Sequence, residues 1–534
     1  MIKRVLAAAL LCSSQVGLST ELHTLADMTS LVESGDVGAA SVAFLNGKQL
    51  EFHNLGMIPG ASQPPSDLSI YEIGSVSKVF TALMALELQQ RGNLSLDTTL
   101  GQVFPEADFD QEEVAAISLV ELLTHRSGLP RMPDNFDPAD ALDPFADYDL
   151  DALLEFFEDF DELGSKQMAY SNLGMGLVGT AVAQSMTVDY SAALEQLLTQ
   201  PLGMSDTVLD LSPAQAGRLV PGYWEGARMP NWQFNVLAGA GAIRSTARDM
   251  ARFVQAQLEP SDSALAPAID LMQRPHGNPE MGLGWLLRHS PDGDLSVLWH
   301  NGATGGYSSF VGIDVEGQRA VIVLSASAAH DAVTRAGFRF FVDENEPIRP
   351  AATDLRDLVG TYQMGEQGLV IQVTEKRGQL YAQLSGQSKF PVFPADEQDH
   401  FDYRAVEASL SFQRDDGEVL SVTLHQGGRD MLAKRVGDEF ALDRFVAVDI
   451  DPTTLDEYVG DYDLNWFVTI TITAREGQLF AQLSKQSPMP VFAYGDDKFF
   501  YKAVDAQLHF VRNDEGVVEA VELHQNGIQR ADKD

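Results

Sequence analysis

Ser75 and Lys78 stand three positions apart in the stretch Tyr71-Glu-Ile-Gly-Ser-Val-Ser-Lys78-Val-Phe. A serine hydroxyl attacks a carbonyl only when a neighbour takes its proton, and a desolvated lysine amine can be that neighbour. Val79, Phe80, Leu83, Met84 and Leu86 follow at helical spacing and predict a core-facing helix. If Ser75 opens that helix, Lys78 lies one turn on along the same face. The helix N-terminus would then favour any oxyanion formed beside it. One such spacing is also expected by chance, so the pair needs company.

Tyr170-Ser-Asn172 supplies some of it. Tyr-x-Asn and Ser-x-x-Lys each occur once in the chain. A phenol beside a lysine can relay the serine proton, and the Asn172 amide can both donate to and accept from a substrate amide. A third element is His300-Asn-Gly302, followed by Ala303-Thr-Gly-Gly. His425-Gln-Gly427 shares the His-x-Gly spacing but lacks the Thr-Gly-Gly after it. His125, in Leu119 to Pro130, reads as a packed, hydrogen-bonded histidine ahead of a base.

These residues need elements to hold them. Ala39 to Lys48 and Gln49 to Leu55 predict a hairpin turning at Asn46-Gly47. Leu119 to Pro130 predicts a helix that stops near Gly128. Asp149 to Phe160 predicts a helix with Leu150, Leu153, Leu154 and Phe157 on one face, inside an acidic run from Asp134 to Glu162. That run lacks the ligand spacing of a calcium loop and reads as a solvated face. Leu177 to Ala183 predicts a small-residue helix, and Gly239 to Phe253 a glycine-rich approach, a cap and a helix with a structural role. Val297 to Gly312 predicts two strands joined through glycines.

The whole chain has 534 residues, enough for several domains. Its 36 basic and 77 acidic residues give a net charge of -41, which disfavours nucleic acid and anionic membranes as partners. Residues 1–19, with Lys3 and Arg4 ahead of an apolar run, form a secretory signal pattern. It predicts a periplasmic or secreted protein with no stable membrane anchor. Cys12, the single cysteine, falls inside that segment, so removal of the signal would leave no thiol, disulfide or cysteine metal site.

Beyond Pro347 and Pro350 the chain repeats itself. Asp357-Leu-Val-Gly-Thr-Tyr362 answers Glu457-Tyr-Val-Gly-Asp-Tyr462, and Leu424-His-Gln426 answers Leu523-His-Gln525. Short alternating strands at a fixed offset predict two all-β antiparallel, barrel-like repeats, at 354–446 and 454–534.

The three motifs, in this order and at wide spacing, resemble the serine beta-lactamase and penicillin-binding-protein superfamily. Leu122 to Pro130, Pro201-Leu-Gly-Met-Ser-Asp-Thr207 and Gly239 to Asp249 are similar to stretches of the same family. The resemblance covers about residues 22–345 and implies a serine hydrolase domain at 20–346. It implies an α/β (α+β) domain with an antiparallel sheet flanked by helices and an all-helical subdomain. It implies Ser75 as the acylated nucleophile, with Lys78 and Tyr170 sharing proton traffic. Asn172 would hold the substrate amide, His300 and Gly302 would line the substrate, and the N–H groups of Ser75 and Ala303 would form an oxyanion hole. No metal and no cofactor are implied. Two departures stand out. His300 occupies a place where lactamases of the group carry a lysine, so a fixed cation is lost. Gly164-Ser-Lys-Gln stands where Pro-Gly is usual.

The expectation is an exported serine hydrolase acting on small-molecule or short-peptide amides and esters, D-amino-acid peptides first. The D-aminopeptidase-like layout, a catalytic domain followed by two barrels, supports that order. A carboxylesterase or beta-lactamase of the same group is the alternative. A ligand-binding protein with a relic site is a further one.

Overall fold

The structure, a computed structural model, describes residues 21–341 except 62 and 290–294, and 355–533 except short inter-strand intervals, the longest being 438–444. The signal pattern and the Pro347–Pro350 linker lie outside the described residues. Two compact units emerge, Met1–Glu344 and Asn345–Asp534.

The first unit is built on a six-stranded antiparallel sheet. Its strands are β1 (Ala39–Asn46), β2 (Gln49–Gly56), β3 (Leu286–His289), β4 (Leu295–Ala303), β5 (Ser308–Asp314) and β6 (Arg319–Ser325), in the order β2-β1-β6-β5-β4-β3. Gly47, at φ +57°, makes the turn that the Asn-Gly pair predicts. The β1 run from Ala39 to Leu45 is buried throughout because both faces of the sheet are covered. Ala39, Ala43 and Leu45 face the large core, while Ala40, Val42 and Phe44 face a smaller one with Val333, Ala336 and Phe340.

Of the four principal helices, α1 (Ser77–Arg91) and α2 (Asn172–Met186) pack on each other, while α3 (Ala247–Leu258) and α4 (His330–Phe338) cover the sheet. α1 is buried from Ser77 to Leu88, so it is a central helix and not a surface one. Phe80 on α1 stacks on Phe253 of α3 at 4.1 Å, tying the central helix to the sheet-covering one. α3 is capped by Thr246, whose hydroxyl accepts from the Asp249 N–H. Several helices run differently from the pattern read in the sequence. The helix at Leu119–Leu123 is only five residues long, because His125 takes a left-handed conformation (φ 54°) and turns the chain. The helix Leu150–Asp159 buries Leu153, Phe156 and Phe157, and leaves Leu150 exposed at its first turn. α2 begins five residues earlier than its small-residue run, capped by Ser171.

The second unit contains two closed eight-stranded antiparallel barrels, Gly360–Gln363 through Arg429–Gly437 and Gly460–Asn465 through Ile528–Lys533. Each strand pairs with the next, and the last returns to the first. The repeated tyrosine plugs each core in the same way. Tyr362 donates to the Leu358 carbonyl and Tyr462 to the Tyr458 carbonyl, both at 2.7 Å. Among the described residues no helix is long and apolar enough to cross a membrane.

Candidate active site

Between Ile70 and Leu88 one residue alone reaches solvent, and it is Ser75. It sits in a single 3-10 turn, Gly74–Val76, immediately ahead of α1 instead of on α1 itself. Two glycines bring this turn against the end of β4. Gly74 has φ +50°, and a Cβ there would lie 2.6 Å from the Ala303 nitrogen. A Cβ on Gly302 would lie 2.0 Å from the Ile73 carbonyl oxygen, which also accepts from the Ser309 hydroxyl at 2.8 Å. The backbone at 73–75 is therefore pressed onto the backbone at 302–303, next to the Ser75 side chain.

Lys78 is fully buried. Its Nζ lies 3.0 Å from Ser75 Oγ and donates to the Ala240 carbonyl at 2.6 Å. Burial, and then the Arg131 guanidinium, hold this amine well below the usual lysine range. The neutral form is the one that can accept a proton. Ala240 belongs to the glycine-rich approach to α3, so a stretch read as structural also aims the lysine.

Tyr170 closes the other side. Its phenol is pushed up to about 12 by burial, against the opposing pull of a hydrogen bond with Ser75 and the charge of Arg131. It is thus a neutral O–H at ordinary pH. The Lys78 nitrogen lies 4.9 Å from the centre of the Tyr170 ring. His125 packs on the same ring at 4.6 Å between centroids, and its Nδ1 accepts from the Ser171 N–H at 3.2 Å. His125 is buried and held neutral, its pKa lowered to about 3 by burial, Lys78, His300 and Arg131. It is a support for Tyr170, one residue from the backbone it binds.

Asn172 opens α2. Its backbone N–H donates to the Arg131 carbonyl at 2.9 Å and its side-chain amide to the Met132 sulfur at 3.5 Å. His300, on β4, is buried; its Nδ1 bonds the Asn301 carbonyl at 2.6 Å, and its ring lies 6.3 Å from that of Tyr170. Burial and Lys78 lower its pKa to about 3, so it brings a neutral imidazole and no cation. Gly128 and Gly164 lie back to back, with the Gly164 N–H donating to Gly128 at 2.9 Å, and Lys166 pairs with Glu121 at 2.6 Å. That is how the unusual Gly164-Ser-Lys-Gln segment is anchored.

The structure adds a residue that the motifs do not contain. Arg131 is exposed and stacks its guanidinium on Tyr170, 5.1 Å from the ring centre. Among the described residues no carboxylate pairs with it. Its position directly after Leu129-Pro130, at the end of a family-like stretch, was the available signal.

Comparison with known proteins completes the picture. A family profile described as Beta-lactamase matches residues 26–344, and one described as a domain of unknown function (DUF3471) matches 344–436 and again 446–533. The D-alanyl-D-alanine-carboxypeptidase/endopeptidase AmpH of Escherichia coli K12 is 26% identical over 389 residues, 66% of this chain and 97% of that protein. Penicillin-binding protein 4* of Bacillus subtilis 168 is 23% identical over 451 residues, 76% of this chain and 96% of that one. A beta-lactamase of Providencia stuartii is 29% identical over 237 residues, 43% of this chain, which spans only 58% of its length. In fold, the crystal structure of a class C beta lactamase from Rhodobacter sphaeroides superposes with a TM-score of 0.53 at 21% identity, covering 60% of this chain and 98% of that one.

Proposed function

The chain belongs to the Beta-lactamase family of serine hydrolases, and we propose from that premise that it hydrolyses small amides or esters through an acyl-enzyme on Ser75, with D-amino-acid-containing peptides or amides as its first substrates. The observation that carries this reading is the 3.0 Å contact between Ser75 Oγ and a buried, charge-depleted Lys78 amine. The neutral amine takes the Ser75 proton as Oγ bonds to the substrate carbonyl carbon, and the carbonyl electron pair moves onto oxygen. The N–H groups of Ser75 and Ala303 receive that oxyanion, each such donor contributing about 3 kcal/mol to the transition state. The C–N or C–O bond then breaks, and the leaving group takes a proton from the lysine ammonium by way of the Tyr170 hydroxyl. Water attacks the acyl-enzyme with the same groups in reverse, releasing the acid and restoring Ser75.

The substrate order rests on relatives named as D-alanyl-D-alanine-carboxypeptidase/endopeptidase and penicillin-binding protein, which this chain matches over nearly their whole length. The neutrality of His300 also supports it, since the strand offers no fixed charge. Beta-lactam hydrolysis is the second reading, favoured by one observation: the Arg131 guanidinium over Tyr170, paired with no carboxylate among the described residues, could hold an anionic substituent. Export to the periplasm or medium is proposed from residues 1–19 alone. N-terminal sequencing of the protein recovered outside the cytoplasm tests it.

Ser75→Ala is expected to abolish turnover of every substrate without altering the fold. A fluorescent phosphonate or penicillin should label Ser75, read by mass spectrometry. Turnover retained in Ser75→Ala ends the acyl-enzyme proposal. Assaying D-aminoacyl amides, short-chain esters and a chromogenic cephalosporin side by side ranks the readings, and faster turnover of the cephalosporin would place beta-lactams ahead of D-amino-acid substrates.

A further inference from the structure

The second barrel carries a cluster that the hydrolase chemistry does not use. Its strands Gln507–Arg512 and Val518–His524 pair antiparallel, with His509 opposite Glu522 and Gln507 opposite His524. Leu508, Phe510, Val521 and Leu523 point into the barrel core. Because side chains alternate along a strand, His509, Glu522 and His524 share the outer face. One ligand atom of each lies within 4.8 Å of the other two.

We propose that His509, Glu522 and His524 bind a divalent transition-metal ion of the zinc type, pinning these two strands together. Zinc takes imidazole nitrogen and carboxylate oxygen at about 2.0–2.2 Å in tetrahedral geometry, so its ligand atoms stand roughly 3.4 Å apart. His524 Nε2 and Glu522 Oε2 are 3.4 Å apart already. The two imidazole rings lie 3.9 Å from each other between centroids at 34°, so a modest splaying of the pair brings one nitrogen of each to a shared ion. The Tyr494 hydroxyl engages His509 Nε2 at 2.5 Å, which fixes that ring, as second partners of ligating histidines do. Lys498, opposite His509 in register, is the cation that opposes binding. The Glu522 carboxylate, beside both imidazoles, faces it.

The first barrel is a built-in control. At the matching register it has Ser411 opposite Thr423 in place of His509 opposite Glu522. There the Ser411 hydroxyl bonds both His400 Nδ1 and His425 Nε2 at 2.8 Å, and His425 Nδ1 bonds Asp430 at 2.7 Å. That histidine pair is closed by hydrogen bonds, whereas the pair in the second barrel is set around a carboxylate. The inference concerns the barrel and is independent of the reading of Ser75.

The test uses the full chain, stripped with chelator and titrated with Zn(II) by calorimetry and with Co(II) by visible absorption. One equivalent is expected, with the intense d–d bands of tetrahedral cobalt. His524→Ala and Glu522→Gln should each weaken binding at least tenfold, and His425→Ala should leave it unchanged. Zinc should raise the barrel's melting transition in the parent and in His425→Ala but not in His524→Ala, while Ser75 labelling stays the same in all. No saturable binding in the parent overturns the proposal. So does unaltered affinity in both His524→Ala and Glu522→Gln, with circular dichroism confirming that they fold.

Discussion

At the scale of single residues, the site assigns its protons by environment. Lys78 and Tyr170 reach the Ser75 hydroxyl and two imidazoles lie beside the Tyr170 ring, and three of these four groups are locked: His300 and His125 are held neutral with pKa values near 3, and Tyr170 is protonated up to about 12. Lys78 alone is moved toward the working range, by burial beside Arg131. A base must be unprotonated in the free enzyme, so kcat/KM should rise with pH through the Lys78 value and then level off. His300→Gln should change KM and kcat while leaving the position of that acid limb in place. If the limb moves with His300, the imidazole and not the amine is the base. Arg131 makes a second prediction. Charge-assisted hydrogen bonds contribute about 1.5–3 kcal/mol, so Arg131→Ala should raise KM roughly tenfold or more for substrates with a free carboxylate and little for neutral esters. Equal losses for both classes would assign Arg131 to positioning Tyr170. The motif residues could be read from the sequence because their side-chain chemistry is unusual in combination. Arg131 could not, since an arginine after a proline is ordinary until the fold sets it over a particular ring.

Elements determine whether those residues meet, and they were legible in the sequence in uneven measure. Period-2 and period-3.6 patterns gave the β1–β2 hairpin close to its observed ends and the presence of α1 and α3, because burial follows those periods directly. The helix read over Leu119 to Pro130 failed at Leu123, since nothing in residue type announces that His125 will sit at φ 54° and hand its Nδ1 to the Ser171 N–H. The role of Ala240 was invisible for a simpler reason: a backbone carbonyl that receives a lysine leaves no mark on the sequence. Glycines are more telling. Gly74→Ala would strain a left-handed residue and drive a methyl against the Ala303 backbone, whose N–H is proposed as one of the two oxyanion donors. Gly74→Ala should therefore cost about 1–3 kcal/mol of stability and reduce kcat more than it raises KM, measured by denaturant titration and steady-state kinetics of the folded variant. A similar argument applies to buried Arg244, 3.2 Å from buried Glu72 between the short strands Ile70–Glu72 and Arg244–Thr246. Removing it strands a carboxylate that burial already pushes up, so Arg244→Met should destabilise by about 3–5 kcal/mol. Glu72→Gln in the same chain should recover part of the loss.

Across the whole molecule, stability is divided among separate cores, one large and one small in the first unit and one in each barrel. Unfolding should accordingly show more than one transition, and acid should act unequally on them. His125 and His300 are buried in the first unit, and the half-buried His330 has its pKa lowered to about 4 by desolvation. A histidine in the unfolded chain titrates near 6.5. Above that pH neither state carries the proton, and the full stability is present. As pH falls from about 6.5 toward 3, the unfolded chain takes up protons that the folded unit refuses, so stability is lost, by at most about 2 kcal/mol per group at pH 5. Glu72 and Asp249, whose carboxyls burial pushes up, act in the opposite sense and blunt the loss at the acid end. His330 separates the two contributions, because it lies outside the chemistry and its Nδ1 meets the Ser308 hydroxyl at 2.7 Å. The Ser308 hydroxyl donates to the Ser327 carbonyl, so an asparagine at 330 can present an amide N–H to the Ser308 oxygen without titrating. Denaturant titrations at pH 7 and pH 5 should show the first unit of His330→Asn losing less stability than the parent, by the equivalent of about one proton. An unchanged slope would mean that His330 already exchanges protons with solvent in the folded protein.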